Sequence, residues 1–139
     1  MLYFAYGSNL NLSQMAFRCP DSEEVGPGLL KGWKLAFRGP LDIYRDKQSQ
    51  IMGFVFRISK GDLKALDRYE GYPRLYTRIK VPVQMTSKNV KALVYTMTGP
   101  HKIRTCLPSK AYLQTVMQGY CHCGLADHRM QLFEALATA

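Results

Sequence analysis

The chain has 139 residues, 47% apolar and 21% charged, which suits one soluble domain with a core that needs no covalent staples. No apolar stretch is long enough to span a bilayer, and the first residues carry no basic region ahead of their apolar run, so they are expected to be mature structure. The net charge of +9 is concentrated in residues 51–100, which carry nine Lys/Arg against three Asp/Glu; such a middle attracts anionic ligands, but no basic run or recognition-helix signature lifts nucleic acid above a minor alternative.

Met1 to Tyr6 reads as a strand, since aromatic and apolar residues fill it without a helical period. Gly7 breaks it, and Ser8 and Asn9 are residues that bond to nearby backbone and start helices. The resulting bend leaves backbone N–H groups facing outward, where they suit a carboxylate or a developing oxyanion. An ordinary strand-to-helix junction has the same residues, so the bend alone is weak evidence of a site. Asn11 to Arg18 is helix-compatible, with Asn9 or Asn11 as cap and Pro20 beyond its end. Leu29 to Arg38 is expected to be a strand bent at Gly32, Leu41 to Gln50 a polar loop near the first bend, and Ile51 to Ile58 a strand in which Gly53 marks a close backbone approach.

Ser59 and Asp62 resemble a capping box ahead of a helix whose inward face carries Leu63, Leu66 and Tyr69. Gly71 ends this helix and Pro73 prevents its renewal. Glu70 therefore falls on the last turn, at the negative end of the helix dipole, which is a poor place for a carboxylate without a task. An exposed Glu70 paired with Arg68, Arg74 or Arg78 is the bland alternative. Tyr76 to Val83 and Lys91 to Thr98 form a hairpin across Met85–Asn89, with Pro82 signalling an edge or bulge. Residues 109–124 make a helix capped by Ser109, with Tyr112, Val116 and Tyr120 on one face, and Asp127 to Ala137 is a last amphipathic helix. Strands and helices without regular β-α-β alternation give an α+β class.

Two stretches, Tyr6-Gly7-Ser8-Asn9-Leu10 and Leu66-Asp67-Arg68-Tyr69-Glu70-Gly71 with Tyr76 shortly after, resemble the γ-glutamylcyclotransferase family in content, order and separation. Tyr95 and Tyr112 fall where that family tends to place further tyrosines. The resemblance implies a small, strongly curved mixed sheet, partly closed like a barrel, with helices outside and the first bend and Glu70 meeting at the cavity mouth. It also implies a cytoplasmic, cofactor-independent enzyme that cyclises a small γ-glutamyl substrate to 5-oxoproline. In that reading Glu70 is the acid and base. The loop Gly7–Leu10 holds the γ-glutamyl unit, Tyr6, Tyr76 and Tyr112 surround the carboxyl and raise its pKa, and Tyr76 and Tyr95 bring hydroxyls to the site. A catalytically idle module holding an anionic metabolite on the same fold is the alternative. The amine that leaves is not encoded in these motifs; residues around 40–50 and 100–110 are expected to face it.

Cysteines at 19, 106, 121 and 123 form no dense framework, which favours a reducing compartment. In Cys121-His122-Cys123, thiols one residue apart on a helix diverge, so no metal site is expected there. Ser8 lacks the Gly-x-Ser-x-Gly elbow of a serine nucleophile.

Overall fold

The computed structural model describes residues 1–139. Five strands and four α-helices follow in the order β1 (Leu2–Ala5), α1 (Leu12–Arg18), β2 (Glu23–Phe37), β3 (Leu41–Arg57), α2 (Lys60–Glu70), β4 (Tyr76–Gln84), β5 (Asn89–Met97), α3 (Lys110–His122) and α4 (Met130–Ala137). The strands close into a barrel in the order β1-β3-β2-β4-β5. Every pairing is antiparallel except the closing one, where β5 runs parallel to β1 at Tyr3 and Leu93. The α+β reading with a curved mixed sheet therefore holds, and the closure is complete.

The short β1 is apolar at every position because both its faces are covered, so its sequence shows no alternation. It lies against β3 from Leu2–Arg57 to Ala5–Phe54. Gly53 makes this approach possible: a Cβ there would overlap the Ala5 carbonyl oxygen and the Phe4 ring. A cluster of 32 buried apolar residues fills the barrel and the seams beneath α1, α2, α3 and α4. Outside, α4 is tied to β3 by Gln131, whose side-chain amide exchanges hydrogen bonds with the Met52 backbone N–H (2.9 Å) and carbonyl (2.8 Å). No helix is long and apolar enough to cross a membrane.

Two expectations are corrected here. Leu41–Gln50 is not a loop but the first part of β3, paired with β2 from Phe37–Leu41 to Trp33–Arg45 and again at Lys31–Gln50. Its outer half is exposed and polar, so the strand is specified by the hydrogen bonds β2 offers rather than by burial. β2 also begins earlier than expected, at Glu23, running through Gly26, Pro27 and Gly28. The irregularity expected at Gly32 is present as a register shift between Lys31 and Trp33. Pro82 is tolerated because β4 meets β2 only at Leu29–Gln84, which leaves most of its second edge unpaired.

Asp42 sits on β3 with no exposure. Its carboxylate accepts from Arg38 Nε (3.0 Å), Lys102 Nζ (2.7 Å), the Met97 N–H (2.8 Å) and Thr96 Oγ1 (3.2 Å). The cluster joins β3 to β5 and to the segment after it. Asp42→Asn keeps the shape but leaves two cations without their counter-charge. A loss of about 3 kcal/mol in urea-induced unfolding at neutral pH is expected.

Candidate functional site

The bend after β1 is a single 3-10 turn, Ser8–Leu10, closed by Leu10 N–H to the Gly7 carbonyl and Asn11 N–H to the Ser8 carbonyl, both at 3.0 Å. The N–H groups of Gly7 and Asn9 have no acceptor within the chain, as the first donors of a turn must. The Ser8 N–H lies near enough to the Tyr112 oxygen to lower that phenol's pKa. Asn11, rather than Asn9, caps α1, accepting from Gln14 N–H at 3.3 Å. Helix α3 lies directly on the bend because Gly119 has no side chain; a Cβ there would stand 2.6 Å from the Asn11 nitrogen and the Leu10 carbonyl carbon.

Glu70 is the last residue of α2. Ser59 and Asp62 start that helix as a reciprocal capping box, and Gly71 ends it in the left-handed conformation (φ 67°). The neighbouring Asp67 accepts from the Tyr95 hydroxyl at 2.6 Å and pairs with Arg78 Nε at 3.2 Å, anchoring the end of α2 to β5 and β4. This anchoring turns Glu70 into the barrel mouth. It forms no salt bridge, so the surface pair with Arg68, Arg74 or Arg78 is absent.

Bend and carboxyl share one cavity of about 210 Å³, lined by Tyr3, Phe4, Tyr6, Gly7, Ser8, Asn9, Pro40, Leu41, Tyr69, Glu70, Leu75, Tyr76, Tyr95 and Tyr112. The backbone of one residue organises its wall. The Leu41 N–H donates to the Tyr112 oxygen (3.0 Å), and the Leu41 carbonyl accepts from the Tyr76 hydroxyl (2.7 Å) and, at 3.5 Å, from Tyr6. The Tyr6 hydroxyl also donates to the Tyr95 carbonyl at 2.9 Å. Burial holds the phenols of Tyr3, Tyr6, Tyr76, Tyr95 and Tyr112 well above their ordinary range, so these rings stay neutral near pH 7. Burial also pushes Glu70 up from 4.5 to about 7, against the opposing pull of Arg18. The change of charge near neutrality therefore falls to Glu70.

Of the residues expected at the site, Glu70, Tyr6, Gly7, Ser8, Asn9, Tyr76, Tyr95 and Tyr112 all line the cavity, and Leu10 does not. Leu10 is fully buried against Gly119, because a 3-10 turn sends its third side chain away from the first two. Asn9 lines the cavity with its side chain already committed, donating to the Tyr3 hydroxyl (2.9 Å) and accepting from Arg18. The Tyr95 ring forms wall while its hydroxyl serves Asp67. Tyr69 is not on an inward face: it is 45% exposed, and its hydroxyl meets Ser8 Oγ at 3.0 Å. Pro40 and Leu41 reach the cavity from the 40–50 stretch, and nothing from 100–110 does.

The sequence reading missed Tyr3, Tyr69, Leu41 and Arg18. Tyr69 carried a signal, its place beside Glu70; Arg18 carried none. Cys121-His122-Cys123 is a docking element: Cys123 Sγ donates to the Leu10 carbonyl (3.2 Å), His122 Nδ1 accepts from Leu12 N–H (3.1 Å) and Cys121 is exposed. No group of three or more His, Cys, Asp or Glu stands together as a metal site would require.

One cavity walled by neutral phenols thus holds both the bend and a carboxyl pushed up to about 7. Residues 3–114 match the model of the family described as gamma-glutamyl cyclotransferase, AIG2-like, and the chain belongs to that family. It is 28% identical to the gamma-glutamylcyclotransferase of Bos taurus over 89% of this chain and 72% of that protein. It is also 28% identical to the gamma-glutamylcyclotransferase of Homo sapiens, over 97% of this chain and 78% of that one. A solved structure named gamma-glutamyl cyclotransferase superposes with a TM-score of 0.85 at 26% identity, covering 97% of this chain and 86% of the other.

A raised carboxyl pKa means the folded state prefers the protonated acid. Stability is thus fully present below about 4.5, falls as pH rises towards 7, and levels off above it. Glu70→Gln is expected to match the parent in thermal unfolding at pH 4 and to exceed its unfolding temperature at pH 8.

Proposed function

We propose that the chain is a γ-glutamyl cyclotransferase in which Glu70 is the general base and then the general acid. The observation that carries this reading is the unpaired, desolvated Glu70 sharing one cavity with the free Gly7 and Asn9 amides. Family membership supports the reaction class.

The substrate supplies its own nucleophile. The Glu70 carboxylate takes a proton from the α-ammonium of the γ-glutamyl unit. The freed nitrogen attacks the γ-carbonyl carbon, and a C–N bond closes the five-membered ring. Charge builds on the former carbonyl oxygen, and in this reading the N–H groups of Gly7 and Asn9, which have no acceptor within the chain, receive it. Glu70 returns the proton to the outer nitrogen as collapse breaks its bond to the carbon; the ring nitrogen then gives its second proton to the emptied carboxylate, which passes it to the departing amine, so that the amine leaves as an ammonium and Glu70 is restored. The products are 5-oxoproline and a free amine. Folding the substrate so that its two ends meet is a large part of the barrier, and the tyrosine wall fixed by Leu41 provides the mould. A base poised near 7 suits both directions of proton transfer, since it gains and loses its proton with little bias at the working pH.

Three outcomes are expected with γ-glutamyl dipeptides, γ-glutamylamines and glutathione as probes. The protein releases 5-oxoproline, and not glutamate, from at least one of them. The same probe acetylated on its α-nitrogen is not consumed, because the nucleophile is blocked; cleavage of it to a glutamyl acid would end the cyclisation reading. In Glu70→Gln, kcat falls by about 1000-fold, in keeping with loss of a general acid-base group, while the parent's kcat/KM climbs with pH through about 7 as the carboxyl ionises.

A further inference from the structure

Arg18 lies at the end of α1 and does not line the cavity, yet it touches both segments that meet there. Its guanidinium stacks on the Tyr69 ring, 3.3 Å from the centroid, and its Nη1 donates to the Asn9 side-chain carbonyl. The Tyr69 hydroxyl in turn meets Ser8 Oγ at 3.0 Å. Bend, arginine and tyrosine thus form a closed circuit: Asn9 to Arg18 to Tyr69 to Ser8, with Ser8 next to Asn9. Tyr69 precedes Glu70 in the last turn of α2, so whatever holds this ring to the bend also holds the helix end that carries the carboxyl.

As a cation–π contact alone, such a stack adds stability that a scaffold would gain equally well elsewhere. Its placement is what matters. Arginine offers a planar cation, charged at any physiological pH, that stacks with its face while donating from its edge. The other groups acting electrostatically with Glu70 are phenols: Tyr3 and Tyr6 from the β1 side, Tyr76 from β4 and Tyr112 from α3. All four are neutral near pH 7, so Arg18 is the charge that favours the ionised carboxyl. Resting on the cyclotransferase reading above, we propose that Arg18 is a positioning residue for the ring closure, which by clasping Asn9 and Tyr69 sets the spacing between the bend's amides and Glu70 and presents a counter-charge to its carboxylate.

Two variants of the full chain separate the parts of this role. Arg18→Met keeps most of the stem and removes the charge; Arg18→Lys keeps the charge and removes the planar stack. Two readings are taken: the carboxyl carbon titration of Glu70 by NMR, which needs no turnover, and kcat and KM for 5-oxoproline release. In Arg18→Met the Glu70 midpoint rises by about one unit, as loss of a nearby opposite charge requires. There kcat falls about 10- to 100-fold through misplacement of the reacting groups, with KM changed less. In Arg18→Lys the midpoint stays within a few tenths of the parent while kcat still falls. A Glu70 midpoint unmoved in Arg18→Met, or a parental kcat in both variants, overturns the proposal, because a purely structural arginine lowers the unfolding temperature without moving either. If neither parent nor variants release 5-oxoproline and the midpoint still shifts, the cyclotransferase reading fails and the pairing of Arg18 with Glu70 stands.

Discussion

Everything at this site depends on drawing one carboxyl partly out of water without giving it a salt-bridge partner. An ionised carboxylate in such surroundings is costly, and proteins normally neutralise it with an arginine or with backbone donors. Glu70 forms no salt bridge, it stands at the negative end of α2, and its cavity is walled by neutral rings; Arg18, outside that wall, is the one charge that favours its ionised form. The fold tolerates this because the strain is shared with groups fixed elsewhere. Asp67, one turn earlier on α2, is tied to Tyr95 and Arg78, so the helix end cannot swing its acid into solvent.

The wall facing that acid is held by backbone rather than by tyrosine–tyrosine contacts. Tyr112 accepts from the Leu41 N–H, Tyr76 donates to the Leu41 carbonyl, and Tyr6 lies within reach of that carbonyl. Leu41 is itself fixed by its neighbour Asp42, whose two cations and two neutral donors leave it no freedom. A buried charge cluster one residue away from the cavity thus sets the positions of three rings inside it. The cluster is an ordinary stability device by composition; its location makes it part of the site's geometry. The amide bend is treated similarly from the other side, seated against Gly119 and held by Cys123 and His122.

Local chemistry was easy to read wherever residues act on their own neighbours. The capping box at Ser59 and Asp62, the Gly71 stop, the bend at Gly7 and the β4–β5 hairpin all follow from short-range rules, and the structure contains each of them. The reading failed where a distant segment supplies the reason for a conformation. Leu41–Gln50 is polar enough to look like loop, and only β2, lying alongside, makes it strand. Tyr69 fits a helical apolar stripe by spacing, yet the bend offers its hydroxyl Ser8 and α1 offers its ring a cation, so it lies half in solvent. Cys121-His122-Cys123 had no role assigned from its sequence, and its partners, Leu10 and Leu12, lie more than a hundred positions away.

By itself the sequence determined the α+β class, the two motifs and their family, and the presence of an acid where a helix gives it no local support. Those properties rest on periodicity, turn chemistry and residue identity, all of which act over a few positions. Tertiary structure alone decided that the barrel closes and that Leu41 is the anchor of the tyrosine wall. It also decided that Leu10 turns away from the cavity while Arg18 reaches across to Asn9 and Tyr69. The reason is physical: these arrangements rest on burial and on contacts between elements far apart in the chain, such as Leu41 with Tyr112, 71 positions away, and no short-range rule contains them.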